Sequence, residues 1–111
     1  MLGKLNETEE KAVLEFKKEV LEKLGNNVRE ITLFGSKARG DYTAGSDVDL
    51  LVVIKEEDRW MKREIIDVST DVLFKLDVFI SPKVMSEKHY LNLLRLQTGF
   101  IKNIQREGIK I

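Results

Sequence analysis

Eight consecutive residues constrain this chain more than any others: Asp47-Val48-Asp49-Leu50-Leu51-Val52-Val53-Ile54. The run is rich in aliphatic and β-branched side chains and reads as a β-strand. Aspartate is a poor strand former, so two of them opening so apolar a strand need a reason. Side chains alternate along a strand. Asp47, Asp49, Leu51 and Val53 therefore share one face, and Val48, Leu50, Val52 and Ile54 the other. Two carboxylates about 4 Å apart repel by roughly 4 kcal/mol at an effective dielectric near 20. A hard divalent cation removes that repulsion, and Mg²⁺ typically takes one or two carboxylates together with substrate phosphates.

The segment before the strand supplies a second half-site. An apolar strand, Val28 to Phe34, ends at Gly35-Ser36, which turn the chain into a short helix carrying Lys37 and Arg39. A loop with Gly40 and Gly45 leads to Asp47. Gly35 lets backbone come close to a ligand, and amides opening a helix favour an anion. Ser36 adds a hydroxyl donor. Arg39 either offers phosphate a planar cationic fork or caps the C-terminus of the short helix. A phosphate cradle beside a carboxylate pair suits phosphoryl or nucleotidyl transfer. Gly35 and Gly40 have P-loop spacing, but Asp41 stands where that motif has lysine, and a carboxylate there would repel phosphate.

Gly35-Ser36, ten intervening residues and then Asp47-Val48-Asp49 resembles the motif of the DNA polymerase β-type nucleotidyltransferase superfamily. The runs Gly-Ser-Lys-Ala-Arg-Gly and Ser-Asp-Val-Asp-Leu are similar to those of its smallest branch, the minimal nucleotidyltransferases. The resemblance implies a polymerase β-like α/β fold. It implies a nucleotide held at Gly35, Ser36, Arg39 and Ser46 and Mg²⁺ held by Asp47 and Asp49. It also implies a third aspartate on a neighbouring strand, completing a two-cation centre. The matching position is Asp77, in the run Phe74-Lys75-Leu76-Asp77-Val78-Phe79-Ile80. Read as a strand from Leu73 to Ile80, that run places Lys75, Asp77 and Phe79 on one face, in step with a carboxylate face.

The rest of the chain fits a small mixed sheet covered by helices. Asn6 to Leu24 reads as an amphipathic helix, with Asn6 and Glu9 as a capping box and Gly25 as the stop. Met61, Ile65, Val68 and Val72 mark a helix over about Glu57–Val72, with Trp60 expected in the core. Ser81-Pro82 reads as the start of a helix reaching about Leu96. Thr98-Gly99 interrupts it or caps another, Phe100–Glu107, which Gly108 ends before a short apolar tail. His89, the only histidine, reads as a surface or packing residue.

At 111 residues one domain, 1–111, is expected. Charged residues are 34% of the chain and apolar ones 42%, a globular composition. Lys plus Arg equals Asp plus Glu at 19 each, which weighs against gripping extended nucleic acid. Cysteine is absent, so disulfides and thiolate metal sites are excluded. No leader-like segment or bilayer-length apolar run is seen, so no membrane association and a cytoplasmic location are expected.

The enzyme reading is transfer of a nucleoside monophosphate, most simply AMP from ATP, to a hydroxyl acceptor. Without a substrate domain the acceptor is met on an oligomer or a partner. Minimal nucleotidyltransferases are commonly paired with a HEPN-domain ribonuclease toxin. The resemblance therefore implies an antitoxin that attaches AMP to a toxin tyrosine. The alternative is a binding module that neutralises its partner by complex formation alone; a third, weaker reading is modification of a small molecule.

Overall fold

The computed structural model describes residues 4–40 and 47–111. Helix α1 is Glu7–Leu24. Its start follows the capping-box logic: Asn6 Oδ1 accepts from the Glu9 amide at 2.8 Å, and Glu9 Oε1 accepts from the Asn6 amide at 2.9 Å. Ala12, Val13, Phe16, Val20 and Leu24 form its buried stripe, and Gly25 closes it. Strand β1 (Val28–Phe34) follows, then the single turn α2 (Ser36–Arg39), then β2 (Val48–Ile54). Helix α3 (Arg59–Leu76) crosses to β3 (Ile80–Ser86). Helices α4 (Glu87–Leu96) and α5 (Gly99–Glu107) precede the two-residue strand β4 (Ile109–Lys110).

The sheet order is β3-β2-β1-β4. β1 lies antiparallel to β2 and β4, and β2 parallel to β3. Val48, Leu50, Val52 and Ile54 join Ile31, Leu33 and the apolar stripes of α1 and α3 in the main core. Leu51 and Val53, on the opposite face, meet Met85 and Ile104 with Leu93, Tyr90 and Phe100 of α4 and α5 against them. β2 is thus covered on both faces, which is why it carries an almost unbroken apolar run.

Two sequence expectations fail over Leu73–Ser86. Helix α3 does not stop near Val72 but continues to Leu76. Leu76 falls four residues after Val72 and extends the same stripe against the core. Lys75 adds ion pairs to Glu19 at 3.3 Å and Glu15 at 3.8 Å on α1. Asp77 then closes the helix from the left-handed region (φ 56°, ψ 36°), its amide donating to Leu73 O at 2.9 Å. Aspartate is one of the few non-glycine residues that visits this region readily.

The strand therefore begins at Ile80, and Ser81-Pro82 lie inside it rather than opening a helix. Pro82 is tolerated because β3 is an edge strand. Ser86, not Ser81, caps the next helix, its hydroxyl accepting from the His89 amide at 3.1 Å. Trp60 is not core but 58% exposed on the first turn of α3. The first helix, the strands Val28–Phe34 and Val48–Ile54, and the Thr98 cap lie where the sequence places them.

Candidate active site

The turn after β1 and the start of β2 meet at one point. Gly35 has φ 76° and ψ −159°, a conformation that L side chains rarely adopt. A Cβ placed on it would stand 2.5 Å from Asp49 Oδ2. The backbone of the turn therefore lies directly against a carboxylate of the strand, in a space that any side chain would fill. The strand register gives the same neighbourhood, with Phe34 opposite Asp49. Within α2 the amides of Ala38 and Arg39 bond Gly35 O at 3.1 and 3.2 Å, and that of Gly40 bonds Ser36 O at 2.7 Å. The opening amides, those of Ser36 and Lys37, precede this ladder.

Asp49 is on β2 and Asp47 immediately precedes the strand, near enough for the two charges to act on each other. Burial raises the Asp49 pKa above its ordinary value, the Asp47 carboxylate raises it further, and the Arg39 guanidinium works the other way. Asp49 is thus a half-buried carboxylate beside a second negative charge and a cation. Arg39 also reaches across to α5, its Nη1 3.2 Å from Glu107 Oε2, so it links the turn to the last helix and does more than cap α2. Oxygen donors of this kind, crowded and partly desolvated, fit a hard divalent cation. Among the described residues, no three carboxylates or other metal-ligating side chains gather in one group.

Two features hold the turn in place. Lys37 is buried at 3% exposure, and its Nζ pairs with Glu9 Oε2 at 2.5 Å. Glu9 thus caps α1 with one oxygen and anchors α2 with the other. Beneath the carboxylates, Phe34 meets Phe100 edge to face at 5.5 Å, and Lys83 Nζ lies 5.3 Å from the Phe100 ring centroid. Neither Lys37 nor Phe100 emerges as a site residue from the sequence. Glu9 is visible there only as a cap, and its pairing with Lys37 leaves no local pattern.

The structure brings together Gly35, Ser36, Arg39, Asp47 and Asp49, but not Asp77. The β2–β3 register sets Val48 against Ile80 and Asp49 against Ser81. Asp47 is then in step with Phe79, whose carbonyl accepts from the Val48 amide at 3.0 Å. Phe79 and Ser81 hold the places beside the carboxylate pair. Asp77 is the helix cap two residues earlier and lines a separate cleft with Asn6, Thr8, Glu9, Leu73, Val78 and Phe79. Ser46, expected to contact nucleotide, lies outside the described residues.

Residues 13–111 match the model of the nucleotidyltransferase domain family. The chain belongs to that family. This nucleotidyltransferase is 33% identical over 100 residues to MJ0141 of Methanocaldococcus jannaschii, covering 89% of this chain and 94% of that protein. It is 37% identical over 100 residues to MJ0604 of the same organism, covering 90% and 94%. Both relatives are described as candidate protein adenylyltransferases. In fold, the nucleotidyltransferase is similar to a toxin–antitoxin complex solved with AMP-PNP. The TM-score is 0.52 at 18% identity, over 86% of this chain and 68% of the other. It is also similar to a mutant MntA–HpeT toxin–antitoxin complex, with TM-score 0.53 at 19% identity over 96% and 72%. The polymerase β-like fold expected from the motif is confirmed. Among the described residues no helix is long and apolar enough to cross a membrane.

Proposed function

We propose that this nucleotidyltransferase moves AMP from ATP to a hydroxyl of a protein acceptor, with Mg²⁺ held by Asp47 and Asp49. The observation that carries the reading is the close approach of the Asp49 carboxylate to Gly35, where a Cβ would stand 2.5 Å from Asp49 Oδ2. A backbone turn suited to phosphate and carboxylate oxygens suited to a cation lie this close together, which supports a triphosphate and a cation held at one spot. Bound there, the cation supplies charge neutralisation on the phosphates. Gly35 admits the triphosphate, Ser36 offers it a hydroxyl donor, and Arg39 places a guanidinium near the same phosphates. The acceptor oxygen bonds to the α-phosphorus, the bond from that phosphorus to the oxygen bridging the α- and β-phosphates breaks, pyrophosphate leaves with that oxygen, and the acceptor's proton passes to water. Asp77 stands apart from the carboxylate face, so the described donors support one cation rather than two.

A protein acceptor is favoured because both curated relatives are described as protein adenylyltransferases. We assign the acceptor to a tyrosine of a HEPN-domain partner, which the motif resemblance implies, and the chain to the antitoxin role. The test is ATP labelled in its α-phosphate, incubated with Mg²⁺, this chain and the HEPN protein that co-purifies with it. Label is expected on a partner tyrosine and is expected to vanish with Asp47→Ala or Asp49→Ala. Full neutralisation of the partner by both variants, without label, would instead establish the passive binding module.

A further inference from the structure

The last residue of α5 reaches the turn after β1 although its local surroundings disfavour it. Glu107 closes α5 at the negative end of the helix dipole, a poor place for a carboxylate. Its two oxygens are divided between two arginines. Oε2 accepts from Arg39 Nη1 at 3.2 Å across 68 residues of chain, and Oε1 lies 3.5 Å from Arg106 Nη2. Arg106 Nη2 also donates to Asn103 Oδ1 at 2.8 Å. A local rule broken in this way points to a demand from elsewhere in the molecule. Stability is not that demand. Arg39 and Glu107 keep 39% and 22% of their side chains exposed, and such pairs add little to folding.

Both halves of the pair are mounted on one strand. β1 runs into Gly35 and the turn α2, whose last residue is Arg39. After Glu107 the chain returns to the same strand, Ile109 pairing with Leu33 and Lys110 with Thr32. Gly108 permits the close return. Its amide bonds Ile104 O at 2.8 Å, and a Cβ there would stand 2.9 Å from Thr32 Cγ2 and collide with Ile104 O. Glu107 is therefore carried on backbone tied to the strand that leads into the site. The Arg39 side chain is long, and the Asp49 carboxylate attracts it as well. Ordering such a side chain around a phosphate costs rotamer entropy. Less is lost when a carboxylate already holds one end of the guanidinium.

We propose that Glu107 is a positioning residue for nucleotide binding, holding Nη1 of Arg39 so that the guanidinium is set for the triphosphate. The proposal rests on the nucleotidyl-transfer reading, in which Arg39 meets phosphate, and adds the distant residue that aims it. Glu107 acts through Arg39 and takes no part in the chemistry.

The test is calorimetric titration of the full chain with ATP and Mg²⁺, without acceptor. It compares the unmodified chain with Arg39→Ala, Glu107→Ala, Glu107→Gln and the double alanine variant. Arg39→Ala should weaken ATP about tenfold or more. Glu107→Ala should weaken it at least ~threefold, although removal of a negative charge alone would tighten an anion. In the Arg39→Ala background the same change should bring no further loss. Glu107→Gln keeps an acceptor oxygen for Nη1 and should recover most of the affinity. Unchanged or tighter ATP binding in Glu107→Ala overturns the positioning role and leaves nucleotidyl transfer standing. So does an equal loss with and without Arg39, a Gln variant no better than Ala, or full affinity in Arg39→Ala. Failure of the unmodified chain to bind ATP overturns both.

Discussion

The two faces of the sheet divide the labour of this molecule. The face under α1 and α3 buries a continuous aliphatic cluster that includes Phe16, Leu33, Leu50, Ile54, Ile65 and Val72. The face under α4 and α5 buries only a small one, Leu51, Val53, Met85 and Ile104, and then gives way to Asp49 and Asp47. Side chains of one strand serve both, since β2 sends alternate residues each way. Stability is concentrated on one side so that the other can tolerate two crowded carboxylates, an arrangement that costs folding energy. The difference teaches that the same eight residues specify core and site, and that their phase separates the two roles.

The sharpest challenge to that division is a cavity in the stable face. Phe16→Ala should destabilise by about 3–5 kcal/mol, while Met85→Ala, on the smaller cluster, should cost about 2–3 kcal/mol; urea unfolding of the two variants measures both. A larger loss at Met85 would reverse the assignment of the core. Next comes the strut that joins the faces. Lys37→Ala leaves the buried Glu9 carboxylate without its ion pair and should cost about 3 kcal/mol, read by thermal melting, together with loss of transfer.

On the functional face the sign changes. Asp49→Asn should lower transfer by at least ~10²-fold yet raise the melting temperature of the metal-free chain. Because the folded-state pKa of Asp49 lies above its ordinary value, the native state binds the proton more tightly than the unfolded one. The metal-free chain should therefore gain stability as pH falls through that raised pKa toward the ordinary one, and the Asn variant should lose that gain. Mg²⁺ should stabilise the unmodified chain and not the variant. The smallest effect expected is at the helix cap. Asp77→Gly relieves a left-handed non-glycine residue and should stabilise by ~1 kcal/mol. Destabilisation there would mean that Asp77 has a structural partner.

Much of this was legible from local pattern. Asn6 with Glu9, the apolar stripe to Leu24 and the stop at Gly25 are contained within one helix, and the Gly35–Asp49 juxtaposition follows from a hairpin-like pair of strands close in sequence. The failures lie where two local readings compete. Val72, Leu73 and Leu76 satisfy a helix, whereas Leu76, Val78 and Ile80 satisfy a strand, and only the fit of Leu76 against the core chooses the helix. Ser81-Pro82 matches a helix start as well as an edge strand, and edge position is a property of the whole sheet. The place of Asp77 depended on both decisions, so a residue expected to complete the carboxylates became a cap. The Lys37–Glu9 pair was hidden for a different reason: a buried lysine shows no periodic signal.

The central claim is that Gly35, Asp47 and Asp49 form one cation–triphosphate site. The most direct measurement is an electron paramagnetic resonance titration of Mn²⁺ into the chain with AMP-PNP present, repeated for Asp49→Asn and Asp77→Gly. One ion bound per chain, lost in Asp49→Asn and retained in Asp77→Gly, is the predicted result. Binding that survives Asp49→Asn, or that disappears with Asp77→Gly, would contradict the account.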